Sequence, residues 1–297
     1  MAPVVSNVSM QTIPFVHAQS NADMIATTTF VANTNGISDR GNNDANSSSS
    51  SQNNSDIVKS NLNATDIQGL QIKKNINYFD GASGYLVYPS NATTGTLSKK
   101  LPAVVMVHEW WGLNNNIKTM ANTLAKQGGY VVLAVDLFKN QSTDDPAHAV
   151  QLVNTVTNNP QESISNLQAA VKYLSSIPFV NSSKIASIGW CFGGGQSLQL
   201  ALHSEQHPLV GNVLYYGTPL VTDKQELSKI KWPVLGIFGD KDQNIPLSKI
   251  NSFKATLDSI GIKNQIYIYK GLGHAFANPS GSTYAPKETT DAWAKKH

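Results

Sequence analysis

Charge is scarce in this chain of 297 residues: Asp, Glu, Lys and Arg make up 14 %, against about a quarter in an average globular protein. The net charge of +3 is thinly spread, and Lys73-Lys74 and Lys295-Lys296 are its densest basic points. A nucleic-acid surface needs a clustered basic stripe, so that class of partner is disfavoured. No apolar run reaches the roughly 18 to 20 residues of a membrane span. Cysteine occurs once, at Cys191. One thiol can form neither an intrachain disulfide nor a multi-cysteine metal site.

What replaces charge is Asn, Ser, Thr and Gln, concentrated before residue 70. The run Asn46-Ser47-Ser48-Ser49-Ser50-Ser51-Gln52-Asn53-Asn54-Ser55 buries too little apolar surface to offset the entropy of ordering it. Residues 1–70 are therefore read as a disordered Ser/Asn-rich segment, a stalk or a dispensable tail, and residues 71–297 as the folded domain. Pro14-Phe15-Val16-His17-Ala18-Gln19 resembles the end of a secretory signal, but the first basic residue is Arg40 and polar residues interrupt the apolar stretch. A remnant signal and a plain tail both remain open. The weakly charged composition tips the expectation toward an extracytoplasmic protein.

With 40 % hydrophobic residues the remainder can build a large core. Ile76–Phe79 and Gly84–Pro89 read as strands around the turn Asp80-Gly81-Ala82-Ser83. Continuous apolar runs follow at 102–107, 130–135, 185–188, 213–216 and 234–238, with an alternating run at 265–269. Such runs suit strands covered on both faces. Helical periodicity lies between them, at 117–126, 163–174, 195–203 and 247–260. Alternation of this kind predicts an α/β fold with a mostly parallel sheet and helices on both faces. Ligands of such sheets bind at the carboxyl ends of the strands.

Three strand ends carry reactive side chains. Gly189-Trp190-Cys191-Phe192-Gly193 fits a Gly-x-nucleophile-x-Gly elbow between a strand and a helix. The turn is so tight that the residues two before and two after the nucleophile must lack side chains, and the helix N-terminus behind it favours a thiolate. Taken alone, Cys191 would as readily be an inert buried thiol. The next segment, Gly239-Asp240-Lys241-Asp242, holds two acids that could orient a histidine or merely shape a turn. Gly273-His274-Ala275-Phe276 supplies the histidine. The order nucleophile, acid, base is that of α/β-hydrolases. In that fold the oxyanion hole takes one N–H from the residue after the nucleophile and one from an early strand end. Those positions are Phe192 and Trp110, in His108-Glu109-Trp110-Trp111-Gly112. Trp110 and Trp111 could equally be core or lid residues.

At these residues the chain resembles the dienelactone hydrolase family over about residues 72–296. The matching stretches are His108 to Asn114, Ala134 to Phe138, Gly189 to Gly194, Gly239 to Pro246 and Gly273 to Asn278. The resemblance implies an α/β-hydrolase fold and a Cys191-Asp242-His274 triad, choosing Asp242 because the family's acid lies four residues before the proline. It also implies that Glu109 pairs with the resting thiol until substrate displaces it. The activity implied is cleavage of a small ester or lactone through a thioester, with carboxymethylenebutenolidase activity as the family's namesake reaction.

Two departures bear on the substrate. The arginines that hold a substrate carboxylate in the family correspond here to Asn140 and Asn278, and asparagine cannot give charge-assisted bidentate pairing. A neutral or differently anchored ester is therefore expected. Trp111, Phe138, Lys139, Asn140, Phe276 and Asn278 are the candidate pocket residues. No organic cofactor motif is present, and His108-Glu109 lacks the second histidine of a zinc-protease pattern. The expected partner is a small ester or lactone, with no nucleic acid, and the protein is expected as a monomer or small homo-oligomer. The alternatives are a peptidase of the same fold and a non-catalytic, surface-displayed binding domain. Complete retention of the reactive residues weighs against the latter.

Overall fold

The computed structural model describes residues 68–94 and 99–295. The reading of residues 1–67 as a disordered segment, with or without a signal remnant, lies outside the described residues. Order is in place by Leu70, where β1 (Leu70–Phe79) begins, six residues before the apolar signal at Ile76. A turn leads into β2 (Ala82–Pro89). There follow β3 (Leu101–Val107), α1 (Asn115–Gly128), β4 (Val131–Ala134), α2 (Pro146–Thr157), α3 (Pro160–Ser176) and β5 (Val180–Trp190). The chain continues through α4 (Phe192–Leu202), β6 (Gly211–Tyr215), α5 (Lys224–Leu227), β7 (Val234–Gly239), α6 (Leu247–Ser259), β8 (Asn264–Tyr269) and α7 (Pro286–Ala294).

The strands form one sheet in the order β1-β2-β4-β3-β5-β6-β7-β8. β1 pairs antiparallel with β2 and β2 with β4, and every later pairing is parallel. The apolar runs are strands because both faces are covered: Val105, Met106, Val107 and all of β4 are 0 % exposed. The direction in which successive strands are added reverses at β3, which has β4 on one side and β5 on the other. A crevice for ligands opens at such a switch point, here beside the ends of β3 and β5.

Local chemistry sets the helix ends. Asn114 caps α1 by accepting from the Ile117 N–H, and Gly129 closes it at φ 66°. Helix α2 carries no marked apolar periodicity in Ala147-His148-Ala149-Val150-Gln151-Leu152-Val153-Asn154-Thr155-Val156-Thr157. Its start is nonetheless coded: Asp145 accepts from the Ala147 N–H, and Pro146 occupies the first turn, where a missing N–H costs nothing.

The elbow depends on close backbone packing. A Cβ on Gly193 would stand 2.2 Å from the His108 carbonyl oxygen, and one on Gly189 would stand 2.1 Å from that of Gly193. Both glycines flanking Cys191 are thus sterically required. Gly193→Ala is expected to lower stability by about 2–3 kcal/mol, as overpacking does, in urea unfolding. Gly211→Ala, whose Cβ would approach nothing nearer than the Pro233 oxygen at 3.9 Å, should leave the midpoint in place. Equal effects would contradict this packing account.

Candidate active site

Cys191 sits between β5 and α4 with φ 55° and ψ −124°, a backbone that L-residues rarely adopt. It is held there from both sides. Its N–H donates to the Tyr215 carbonyl at 3.0 Å, and its own carbonyl accepts from the N–H groups of Gly194, Gly195 and Thr218. The side chain is half-buried and faces His274, with Sγ 3.1 Å from Nε2.

His274 follows β8, on a loop braced by the Thr283 hydroxyl, which donates to its carbonyl. Its Nδ1 lies 2.8 Å from Asp242 Oδ2. The second oxygen, Oδ1, accepts from the N–H groups of Asn244 and Ile245, so the buried carboxylate is fully engaged. With a carboxylate beside it, Nδ1 carries a proton and Nε2 is left to exchange one with sulfur. Burial disfavours the imidazolium, but the hydrogen bonds to Asp242 and Cys191 and their charges outweigh it, and the pKa is pushed up to about 10. Asp240 acts differently. It accepts from the Gly271 N–H at 2.6 Å and so ties the β7 loop to the histidine loop.

Glu109 is 3 % exposed. Its Oε2 accepts from Asn278 Nδ2 at 2.6 Å, while the Cys191 thiol is paired with His274. Burial pushes Glu109 up to about 7, and the nearby charge of His274 opposes this. His108 braces the same strand end. Its Nε2 accepts from the Leu137 N–H, which leaves Nδ1 to donate to the Glu109 carbonyl at 2.6 Å. Burial lowers its pKa, consistent with a neutral ring.

The backbone N–H groups of Trp110 and Phe192 have no acceptor among the described residues. The half-buried rings of Trp110 and Trp111 lie 4.6 Å apart, tilted at 55°. The other proposed pocket residues divide. Asn278 is buried against Glu109. Phe138 and Phe276 pack among other rings. Phe138 lies between the rings of His108 and Phe192, and Phe276, 0 % exposed, lies between Tyr216 and Tyr269. The polar groups of Lys139 and Asn140 are engaged elsewhere. Lys139 pairs with Glu162. Asn140 donates to the Gly81 carbonyl at 3.0 Å, at the β1–β2 turn. Both have positive φ, in a loop wound around Asp136, which accepts from the Phe138 and Asn140 N–H groups. A cavity of ≈ 100 Å³ beside them is lined by residues including Phe79, Leu152 and Glu162, and by none of Cys191, Glu109 or His274.

Tyr216 was not anticipated. It follows β6 with φ 39°, is fully buried, and lays its ring 5.1 Å from that of His274. Burial, then the charges of Glu109 and Cys191, push its pKa well up. A signal existed in its place at a strand end, but a tyrosine closing an apolar run reads as core.

Among the described residues no group of three metal-ligating side chains assembles, and no helix is long and apolar enough to cross a membrane. Strand order, elbow and the convergence of three strand ends define an α/β-hydrolase. The chain belongs to the dienelactone hydrolase family, whose profile matches residues 83–297. A protein of Aquifex aeolicus, provisionally named carboxymethylenebutenolidase, is 28% identical over 197 residues, which cover 65% of this chain and 84% of that protein. A Bradyrhizobium protein, provisionally named 2-oxo-3-(5-oxofuran-2-ylidene)propanoate lactonase, is 28% identical over 201 residues, covering 65% and 81%. Among solved structures, a dienelactone hydrolase-like promiscuous phosphotriesterase from metagenomic libraries superposes with TM-score 0.68 at 25% identity, covering 77% of this chain and 96% of its own.

The Glu109 shift has a consequence for stability. Between its ordinary pKa of 4.5 and about 7 the folded protein keeps a proton that the unfolded chain has released. Where the native state binds more protons, stability falls as pH rises. The loss across this window should be on the order of 2 kcal/mol. His274 adds a fall above pH 6.5 common to wild type and variant, since its folded pKa is raised. Urea unfolding at pH 5 and pH 8 should therefore show a smaller loss in Glu109→Gln than in wild type. Identical losses would mean that Glu109 is not held protonated by the fold.

Proposed function

We propose that the protein hydrolyses a small carboxylic ester or lactone through a thioester on Cys191. The observation that carries this reading is the line Sγ–Nε2 at 3.1 Å and Nδ1–Oδ2 at 2.8 Å, joining Cys191, His274 and Asp242. Nε2 takes the thiol proton, and Asp242 behind Nδ1 stabilises the imidazolium of the thiolate–imidazolium pair that forms. The sulfur lone pair attacks the carbonyl carbon, and the π pair moves to oxygen. The unpaired N–H groups of Trp110 and Phe192 are the proposed donors to that oxyanion. Collapse of the tetrahedral adduct breaks the C–O bond, and the departing alkoxide takes the proton from Nε2. Water then gives a proton to Nε2 and attacks the thioester. The second collapse releases the acid and restores the thiolate. For a lactone the alkoxide stays tethered, and the product is a hydroxy acid.

Neutral substrates are favoured on the same grounds. Of the positions proposed to anchor an anion, Asn278 is committed to Glu109, Lys139 to Glu162 and Asn140 to Gly81. A buried carboxyl at Glu109 also repels a carboxylate above its pKa of about 7.

In assays with paired substrates, the methyl ester of a small lactone acid should be turned over with a higher kcat/KM than the free acid. Cys191→Ala and His274→Ala should each lose at least about 10³-fold, and Asp242→Asn on the order of 10²–10⁴-fold. Turnover undiminished in Cys191→Ala and His274→Ala would refute the mechanism, and a preference for the free acid would refute the substrate class.

A further inference from the structure

Glu109 is a buried acid on a loop that packs on the Cys191 turn, and its carboxyl has one hydrogen-bond partner among the described residues, the Asn278 amide. Gly193 of the elbow packs against the carbonyls of Val107 and His108, which sets the Glu109 loop directly on the nucleophile turn. A carboxylate deprived of water seeks whatever donor is near. The His274 imidazole is close enough for its charge to act on Glu109, and the Tyr216 hydroxyl, which is buried and makes no more than a weak contact with the Ala277 backbone, feels both Glu109 and Cys191 and so places the thiol in the same neighbourhood.

Asn278 is built to hold that carboxylate. Its side-chain oxygen accepts from the Ser280 N–H at 2.9 Å. A backbone N–H can only donate, so this bond fixes which end of the amide is oxygen and turns Nδ2 toward Glu109. Asn116 Nδ2, from α1, donates to the same oxygen at 3.4 Å. The Asn278 main chain is tied as well, its N–H donating to the Ala275 carbonyl and its carbonyl accepting from the Gly281 N–H. The amide belongs to the loop that carries His274, so one short segment positions both the base and the neighbouring acid.

We propose that Asn278 is a positioning residue that latches Glu109 and keeps its carboxylate from competing with His274 for the Cys191 thiol proton. With the latch closed, the proton passes from sulfur to Nε2, leaving a thiolate. With the latch removed, the Glu109 carboxylate accepts an S–H hydrogen bond, the proton stays on sulfur and the nucleophile is weakened. The proposal rests on the Cys191–His274 reading above and adds that the thiol is primed before any substrate arrives.

Alkylation of Cys191 by iodoacetamide, a neutral probe, tests it on the full chain at pH 8. The second-order rate in Asn278→Ala should fall about tenfold, the size of one lost charge-assisted hydrogen bond. Adding Glu109→Gln to that variant should restore the rate, because the competing acceptor is then uncharged. A merely structural asparagine predicts no such rescue. An unchanged rate in Asn278→Ala overturns the latch, and so does a slow rate that Glu109→Gln fails to restore. Wild type reacting no faster than His274→Ala would instead sink the thiolate–imidazolium reading itself, which keeps the two failures distinct.

Discussion

The site depends on one constraint: Cys191 must hold a backbone conformation that its side chain disfavours, at φ 55° and ψ −124°. Such strain persists only where its surroundings over-determine it. Here four hydrogen bonds converge on one residue, one from its N–H to Tyr215 and three to its carbonyl. The flanking glycines let β5, α4 and the end of β3 close to backbone contact. That closeness brings the Glu109 loop onto the Cys191 turn and gives Phe192 its place at the start of a helix. The parallel pairing of Trp190 with Tyr215 also leaves the next residue, Tyr216, where its ring backs the histidine.

Around this fixed point the polar groups are arranged by burial. Asp242 is sealed and fully hydrogen-bonded, so its charge is directed at Nδ1 of His274. Glu109 is sealed with an amide as its partner, and its carboxyl is therefore pushed up to about 7. Two carboxyls on one histidine-centred site thus meet different conditions, one with both oxygens hydrogen-bonded and the other burdened by desolvation. Environments that push apart the properties of neighbouring acids are how a site divides roles among them.

Much of this was legible in the sequence, and the gaps have physical causes. The central strands could be read because burial on both faces makes them continuously apolar, as in Val104-Val105-Met106-Val107. Helix α2 could not be read from periodicity, and its Asp145-Pro146 start was the signal available. Cys191, Asp242 and His274 could be nominated because each follows a strand, and a parallel sheet collects strand ends on one edge. The residues alone did not separate Asp240 from Asp242, since two acids so close together in a turn look alike. Burial and the contact with His274 separate them. Where the side chains of Lys139 and Asn140 point could not be read, because closeness to a strand end says nothing of side-chain direction. Their left-handed backbone turns them toward Glu162 and Gly81. The bond from Asn278 to Glu109 joins residues 169 positions apart, a partnership that no local pattern encodes.

Chemistry that passes through a covalent bond to sulfur is tested most directly by intact-protein mass spectrometry. After rapid mixing with a small activated ester and an acid quench, wild type should carry one acyl group, mapped to Cys191 and released by hydroxylamine. In Cys191→Ala the adduct should be missing. Turnover without any acyl adduct, or an adduct on another residue that survives in Cys191→Ala, would contradict the proposed mechanism.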